Sequence, residues 1–205
     1  MFENVQWIFF DIGSTIMDEQ LAYEHRLRDI AELANTAYED VYETAMQFYR
    51  QNKKGDLETA KLFGVALTQW HAEDERLYAD AVECLAKLSG KYKLGIIANQ
   101  SLGSKDRLAQ HGVLQYFDLV IASAEEGCAK PDERIFRIAL ERSGCQPNSA
   151  IMIGDRIDND IIPAKALGMR TVWVKQGFGR FWNVTREMEK ADLEVNNLTE
   201  ISRML

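Results

Sequence analysis

Short apolar runs alternate with amphipathic segments along most of the chain, and this pattern predicts an α/β fold. Residues 5–10 form a continuous run of β-branched and aromatic side chains, as expected for a buried strand. Similar runs recur further along, separated by longer segments with apolar residues at helical spacing. The predicted strands are 5–10, 94–98, 118–122, 150–153, 171–174 and a short edge strand at 193–195.

The amphipathic segments between these strands predict helices. Strands that alternate with helices form a parallel sheet with right-handed crossovers and helices on both faces. We therefore predict a Rossmann-like, doubly wound parallel sheet. The predicted helices are 77–88, 104–110, 132–143, 157–167, 181–189 and 200–205.

The segment from residue 20 to residue 80 differs from the rest because it lacks apolar runs typical of strands. It is rich in Ala, Glu, Leu and Tyr, and apolar residues such as Leu27, Ile30 and Ala31 follow helical spacing. Residues 52–56, "NKKGD", interrupt it most clearly. We predict three or four helices without a strand, forming an inserted α-helical cap. The predicted domains are a core of residues 1–16 and 81–205 and a cap of residues 17–80.

Composition and charge narrow the range of partners. The chain has 205 residues and a net charge of −8, whereas a nucleic-acid surface is normally basic. The three cysteines are scattered and lack metal-site spacing, which favours a reduced, cytoplasmic setting without a zinc site. No apolar run is long enough to span a membrane. The sequence predicts neither a nucleic-acid nor a membrane partner, and it does not indicate an oligomeric state.

Polar and charged side chains follow four of the predicted strands. The carboxyl ends of parallel strands share one edge, where ligands of such sheets bind. Two carboxylates close together favour a bound cation, and Mg²⁺ takes few protein carboxylates while binding substrate phosphate. A carboxylate beside such an ion can attack phosphorus to give an aspartyl phosphate. The residues after the strands are Asp11, Asn99, Gln100, Ser101, Lys130 and Asp155.

These residues and their surroundings resemble the haloacid dehalogenase-like (HAD) superfamily of hydrolases over essentially the whole chain. The resemblance is carried by an apolar strand running into "DIGST", by Lys130 followed by Pro131, and by "GDRIDNDIIPAKALGM". The last of these motifs is the most specific. The likeness extends to a helical insertion after the first strand. It implies a Mg²⁺-dependent hydrolase that acts on a small phosphorylated metabolite.

The resemblance also implies roles for individual residues. Asp11 would be the nucleophile, and Lys130 would bridge the nucleophile and the phosphate. Thr15 would position the first loop. Phosphate contacts are predicted from Thr15 and, near the end of the second predicted strand, from the backbone N–H groups of Asn99 and Gln100 or the Ser101 hydroxyl. The metal ligands would be Asp11, the Gly13 carbonyl, Asp155 and, through water, Asp160.

Two positions depart from the pattern of the phosphatases in this superfamily. Gly13 stands where they carry an Asp that protonates the leaving oxygen and then activates water. Ala98 stands where they carry Ser or Thr. General acid–base catalysis contributes roughly 10²–10⁴-fold, so simple phosphate esters should be poor substrates. On this reasoning a Gly13→Asp change should raise their turnover.

Three functions therefore stay open at this stage. The preferred one is a Mg²⁺-dependent phosphohydrolase with an aspartyl phosphate on Asp11. The second is a catalytically weak or inactive protein that binds phosphate or a partner without turnover. The third is a C–P bond hydrolase similar to phosphonoacetaldehyde hydrolase, which uses a cap lysine; Lys53, Lys54 and Lys61 are the candidates. Arg26, shortly after the first loop, is a candidate contact for an anionic substrate.

Overall fold

A six-stranded parallel sheet forms the centre of the computed structural model, which describes residues 2–205. Two further strands of two residues each pair antiparallel in a separate ribbon. In chain order the strands are β1 Trp7–Phe10, β2 Met17–Asp18, β3 Arg76–Leu77, β4 Lys93–Ala98, β5 Leu119–Ala122, β6 Ala150–Gly154, β7 Arg170–Val174 and β8 Leu193–Val195.

The connections between the strands of the central sheet are largely helical, and the predicted doubly wound α/β class is confirmed. A π-helical turn, Ile157–Ile161, leads directly into the helix Ile162–Ala166. The α-helices are α1 Gln20–Ala34, α2 Tyr38–Arg50, α3 Gly55–Phe63, α4 Ala81–Ser89, α5 Ser104–Gln110, α6 Ser123–Glu126, α7 Glu133–Ser143, α8 Ile162–Ala166 and α9 Leu198–Met204.

The strand order places the ends of β1 and β6 side by side. The sheet runs β5-β4-β1-β6-β7-β8, so the chain moves outward on one side of β1 and then continues on the other side from β6. Phe10 pairs with Ile153, and the Asp11 N–H donates to the Ile153 carbonyl at 2.9 Å. Ligands of open α/β sheets bind at such a reversal of strand order. The residues that follow β1 and β6 are therefore brought to the same place.

Both faces of the sheet are covered, which explains why its strands are continuous apolar runs. Side chains of successive residues point to opposite faces. Ile8 and Phe10 pack in one buried cluster with residues of α4 and α9, whereas Phe9 and Met152 pack in another with residues of α7.

The helices α1, α2 and α3 form the cap and have a core of their own. Leu27, Ile30, Val41 and Ala45 are buried in it. The cap also contacts the loop after β7, where the ring of Phe178 stacks on Tyr49 with centroids 4.3 Å apart. The β2–β3 ribbon lies at the two ends of this insertion. The cap boundaries of 16/17 and 80/81 stay a prediction.

Three predicted elements are wrong in detail. The 20–80 segment contains a strand, β3, because Arg76 and Leu77 pair with β2, a partner nearly 60 residues earlier in the chain. For the same reason the helix predicted at 77–88 starts only at Ala81. The helix predicted at 181–189 is instead two 3-10 turns, Phe178–Phe181 and Glu187–Glu189. There the Glu189 carboxylate accepts the N–H groups of Thr185 and Arg186, which holds the chain in a turn.

Other expectations concern cysteines and membranes. Cys84, Cys128 and Cys145 are buried free thiols. Within residues 2–205, every helix is too short or too polar to cross a membrane.

Candidate active site at the strand ends

Four charged side chains meet where β1 and β6 end. Lys130 Nζ lies 2.8 Å from Asp11 Oδ1 and 2.6 Å from Asp160 Oδ1. Carboxylate oxygens of Asp11, Asp155 and Asp160 lie within 4.8 Å of one another. The side chains of Lys130 and Asp160 are 1% and 0% exposed, and that of Asp11 is 13% exposed. We call the three aspartates and Lys130 the strand-end cluster.

Local backbone features explain how the acids of the β6 loop reach this point. Asp155 follows the last residue of β6, and its carbonyl accepts the Trp173 indole N–H at 2.8 Å. Asp160 lies in the π-helical turn, and its Oδ2 accepts the Arg156 N–H at 3.0 Å. A Cβ at Gly154 would overlap the Asp160 carboxylate. The glycine is therefore needed for this carboxylate to approach the strand end.

The charges of the strand-end cluster do not balance. Burial and the neighbouring Asp160 and Asp11 raise the pKa of Asp155 well above its usual range. Burial also raises the pKa of Asp160, although Lys130 partly offsets this. Burial alone would lower the pKa of Lys130, but Asp11 and Asp160 outweigh it and raise that pKa. One lysine thus faces three carboxylates, and such a set of hard oxygen donors fits a divalent cation such as Mg²⁺.

Asn99 holds the backbone of Lys130. Its Oδ1 accepts the Lys130 N–H at 2.7 Å, and its Nδ2 donates to the Lys130 carbonyl at 2.8 Å. These two bonds tie the end of β4 to the loop that carries the lysine. The side chain of Asn99 thus positions Lys130, whereas the predicted phosphate contact of the Asn99 backbone N–H stays a prediction.

The other predicted substrate residues differ in how available they are. The Gln100 N–H donates to Ser123 Oγ at 3.0 Å, so this backbone donor is already used. Ser101 is exposed. Thr15 is fully buried, and its hydroxyl has no hydrogen-bond partner among residues 2–205. Ala98 is fully buried at the end of β4. The substrate roles of Thr15, Gln100 and Ser101 stay predictions.

The space beside Gly13 is filled by a carboxyl group that the sequence analysis missed. A Cβ at Gly13 would overlap Glu19 Oε1 and lie 2.7 Å from Oε2 and 2.8 Å from Cδ. Ser14 Oγ donates to Glu19 Oε2 at 3.1 Å. Burial, then the charges of Glu75 and Asp11, raise the pKa of Glu19 to about 8. The only sequence signal was an acidic pair, Asp18 and Glu19, just before the first cap helix.

A second buried carboxylate lies near Glu19 but has its own partners. Glu75 is 2% exposed. It accepts the Trp70 indole N–H at 2.7 Å and pairs with Arg107 at 3.1 Å.

Arg26 stacks over the ring of Trp70 at 4.5 Å and pairs with Asp56 at 2.9 Å. These contacts hold Arg26 within the cap and leave the predicted anion contact without support.

The cap lysines lie in different surroundings. Lys61 is largely exposed and pairs with Glu58 at 2.7 Å. Lys54 precedes the first residue of α3. Lys53 lies 5.4 Å from the centre of the Phe48 ring and, with Asp155, lines a cavity of about 20 Å³.

A larger cavity, of about 180 Å³, opens next to the loop after β1. Its walls include Ser14, Tyr23, Lys175 and Phe178. It is smaller than the roughly 300–1,000 Å³ common for ligand pockets. The space beside the loop therefore suits a small molecule.

Comparison with known proteins identifies the family of this chain. A family model described as haloacid dehalogenase-like hydrolase matches residues 8–174. The chain is 28% identical, over 227 aligned positions, to a glyceraldehyde 3-phosphate phosphatase of Pyrococcus furiosus, covering 98% of this chain and 93% of that protein. A protein with the same name from Methanothermobacter thermautotrophicus is 33% identical over 132 residues, covering 63% of this chain and 57% of that protein.

Shorter matches and solved structures extend the comparison. A phosphoserine phosphatase of Thermus thermophilus is 36% identical over 97 residues, 47% of this chain and 37% of that protein. The chain thus matches only part of the length of this relative and of the Methanothermobacter protein. The crystal structure of a HAD phosphatase from Thermococcus onnurineus superposes with a TM-score of 0.66 at 26% identity, covering 98% of this chain and 97% of that chain.

Proposed function

The chain belongs to the haloacid dehalogenase-like hydrolases, and from this premise we propose that it is a Mg²⁺-dependent phosphohydrolase acting through Asp11. The observation that carries the proposal is the strand-end cluster. Asp11 is the member with the greatest exposed fraction beside the buried Lys130, so it is the carboxylate that a substrate can reach. The acid set around it supports a bound Mg²⁺.

The proposed chemistry assigns a task to each side chain. Asp11 attacks the phosphorus of the substrate through a carboxylate oxygen, and the bond from phosphorus to the ester oxygen breaks. Lys130 keeps its proton and offsets the charge of both Asp11 and the phosphoryl group. Asp160 and Asn99 hold that lysine in place.

A metal ion would complete the charge balance. A Mg²⁺ held by Asp11, Asp155 and Asp160 would supply positive charge next to the phosphoryl oxygens. The Gly13 carbonyl is a further proposed ligand. Asp160, which accepts a hydrogen bond from Lys130, would support such an ion through water.

The proposed substrates are small phosphorylated metabolites. Two kinds of relative are named for glyceraldehyde 3-phosphate and for phosphoserine, both of which are small. The cavity of about 180 Å³ beside Ser14 has a volume that suits such a molecule, and its walls belong to the cap and to loops including that after β1, rather than to the strand-end cluster. These two compounds should therefore open a panel of phosphate esters.

The test is phosphate release across that panel, with Asp11→Asn as the blank. We expect release by the wild type with Mg²⁺, and none after chelation or in the variant. Equal release by wild type and Asp11→Asn would refute the covalent mechanism. Stabilisation by Mg²⁺ and a phosphate analogue without release from any ester would favour the alternative of a binding protein.

A further inference from the structure

We propose that Glu19 supplies the acid–base carboxyl group that Gly13 lacks. This inference rests on the proposed phosphohydrolase function and adds to it a catalytic residue, taken from the start of the first cap helix rather than from the loop after β1. On this inference, the absence of a side chain at Gly13 makes room for the Glu19 carboxyl group.

The course of the chain brings Glu19 back to Gly13. The Ile12 carbonyl accepts the N–H groups of Ile16 and Met17, both at 3.0 Å, so the chain turns sharply after β1. Gly13 then forms an isolated bridge with Met17. Glu19, two residues further on, is thereby placed next to the loop rather than out in solvent.

The two positions are complementary in volume. Because a Cβ at residue 13 would overlap the Glu19 carboxylate, a side chain there and Glu19 in its present place exclude each other. The Glu19 carboxyl group thus fills the position in which a side chain from residue 13 would begin. The long side chain of Glu19 thus brings its carboxyl group next to the Gly13 backbone.

Glu19 is the N-cap residue of α1, a position whose side chain commonly accepts a backbone N–H of the first helical turn. The Glu19 side chain makes no such hydrogen bond. Asp18 instead accepts the Gln20 N–H at 2.9 Å. The Glu19 carboxyl group is held by the hydroxyl of Ser14, the residue next to Gly13.

The proposed proton transfers balance in two half-reactions. As Asp11 binds phosphorus, the electron pair of the breaking P–O bond goes to the leaving oxygen, which takes the proton of Glu19. The ionised Glu19 then takes a proton from a water molecule whose oxygen attacks the phosphorus. The P–O bond to Asp11 breaks, Asp11 is again a carboxylate, phosphate leaves and Glu19 is again protonated.

The test is Glu19→Gln, which keeps shape and removes the proton transfer. Its matched control is Glu32→Gln, an exposed glutamate on the same helix. With phenyl phosphate, whose leaving oxygen needs a proton, we expect kcat to fall by roughly 10²–10⁴-fold with little change in KM. With acetyl phosphate, whose leaving group needs none, Asp11 should still be phosphorylated. Because the water is no longer activated, the phosphorylated protein should then accumulate, as seen by intact-protein mass.

Variants at residue 13 distinguish a catalytic role of Glu19 from a merely structural one. Gly13→Asp alone should not raise turnover, because Glu19 occupies the space. This replaces the expectation from sequence. Gly13→Asp combined with Glu19→Ala should recover activity on phenyl phosphate relative to Glu19→Ala. Unchanged kcat on phenyl phosphate in Glu19→Gln, or no recovery in the double variant, would overturn the role of Glu19. Wild-type protein that neither forms a phosphoenzyme nor releases phosphate would instead refute the proposed function itself.

Discussion

Two regions of the molecule gather side chains that could hold a metal ion, and they differ in charge balance. One is the strand-end cluster. The other, which we call the cap cluster, lies on the surface of the cap and its connection to β3. In the strand-end cluster, ligand atoms of three side chains lie within 4.8 Å of one another, and the cap cluster contains two overlapping sets of three that share His71. The cap cluster consists of His25, Asp29, His71, Glu73 and Asp74.

In the cap cluster, the acids already have partners. Asp29 Oδ2 lies 2.7 Å from His71 Nε2 and accepts the Thr68 hydroxyl at 2.5 Å. Asp74 lies 3.0 Å from His25 Nδ1. The His25 side chain is 48% exposed, so water also solvates the group. Proximity of ligand atoms here reflects a hydrogen-bonded surface network.

In the strand-end cluster, three largely buried aspartates lie around one lysine, which pairs with Asp11 and Asp160. Buried charge without a partner is costly, whereas the same charge at the surface is not. The comparison teaches that excess buried charge, rather than the spacing of ligand atoms, indicates a cation site.

The largest expected effect tests the chemistry of the strand-end cluster. Asp11→Asn should lower kcat by roughly 10⁴-fold or more, the order of loss when a covalent nucleophile is removed. The control is Asp18→Asn, which changes a nearby carboxylate but keeps an acceptor for the Gln20 N–H. A steady-state assay with the best ester of the panel measures both. Similar losses in the two variants would mean that the effect is not specific to Asp11.

Metal-dependent stability separates the two clusters directly. At about 100 times its Kd, Mg²⁺ should stabilise the protein by about 2.7 kcal/mol, which corresponds to a Tm shift of about 5–10 °C in a domain of this size. Asp155→Asn should abolish the shift, and His71→Gln should keep it. Thermal unfolding at increasing Mg²⁺ provides the measurement. A shift lost in His71→Gln and kept in Asp155→Asn would reverse the assignment.

Loss of the two hydrogen bonds between the Asn99 side chain and the Lys130 backbone should have a smaller effect on kcat. Asn99→Ala removes two hydrogen bonds, which at about 0.5–1.5 kcal/mol each should lower the free energy of unfolding by about 1–3 kcal/mol. It should also lower kcat, because Lys130 is no longer held. Gln100→Ala, which keeps its backbone bond to Ser123, is the matched control. A rise in KM alone would instead indicate that the Asn99 side chain contacts the substrate.

The smallest effect belongs to the cap cluster and depends on pH. The hydrogen bond to Asp29, aided by Glu73, raises the pKa of His71 above its usual value of 6.5. Protonated His71 therefore stabilises the folded protein fully below about pH 6.5, and this contribution is lost as the pH rises through the raised value. The His25 ring stacks on the His71 ring with centroids 3.6 Å apart, and His25 Nδ1 lies 3.0 Å from Asp74 Oδ2.

The Tm difference between wild type and His71→Gln should thus shrink as the pH rises. Thermal unfolding from about pH 6 to pH 9 tests this, the starting point lying below the usual histidine pKa. A difference that grows with pH would show that His71 is stabilising in its neutral form.

The sequence by itself determined the class of fold and the main members of the strand-end cluster. Continuous apolar runs are recognisable because a strand covered on both faces must be apolar throughout. Asp11 and Asp155 could be placed together because parallel strands end at one edge. The motif around Asp160 added the third acid through resemblance.

Only the tertiary structure decided the features that depend on distant partners. The pairing of β3 with β2 and the hydrogen bonds between Asn99 and the Lys130 backbone each join segments far apart in the chain, whose contact leaves no local pattern. Glu19 shows this most clearly. An acid next to a helix start has many possible roles, and only the reversal of the chain after β1 places its carboxyl group in the space that Gly13 leaves open.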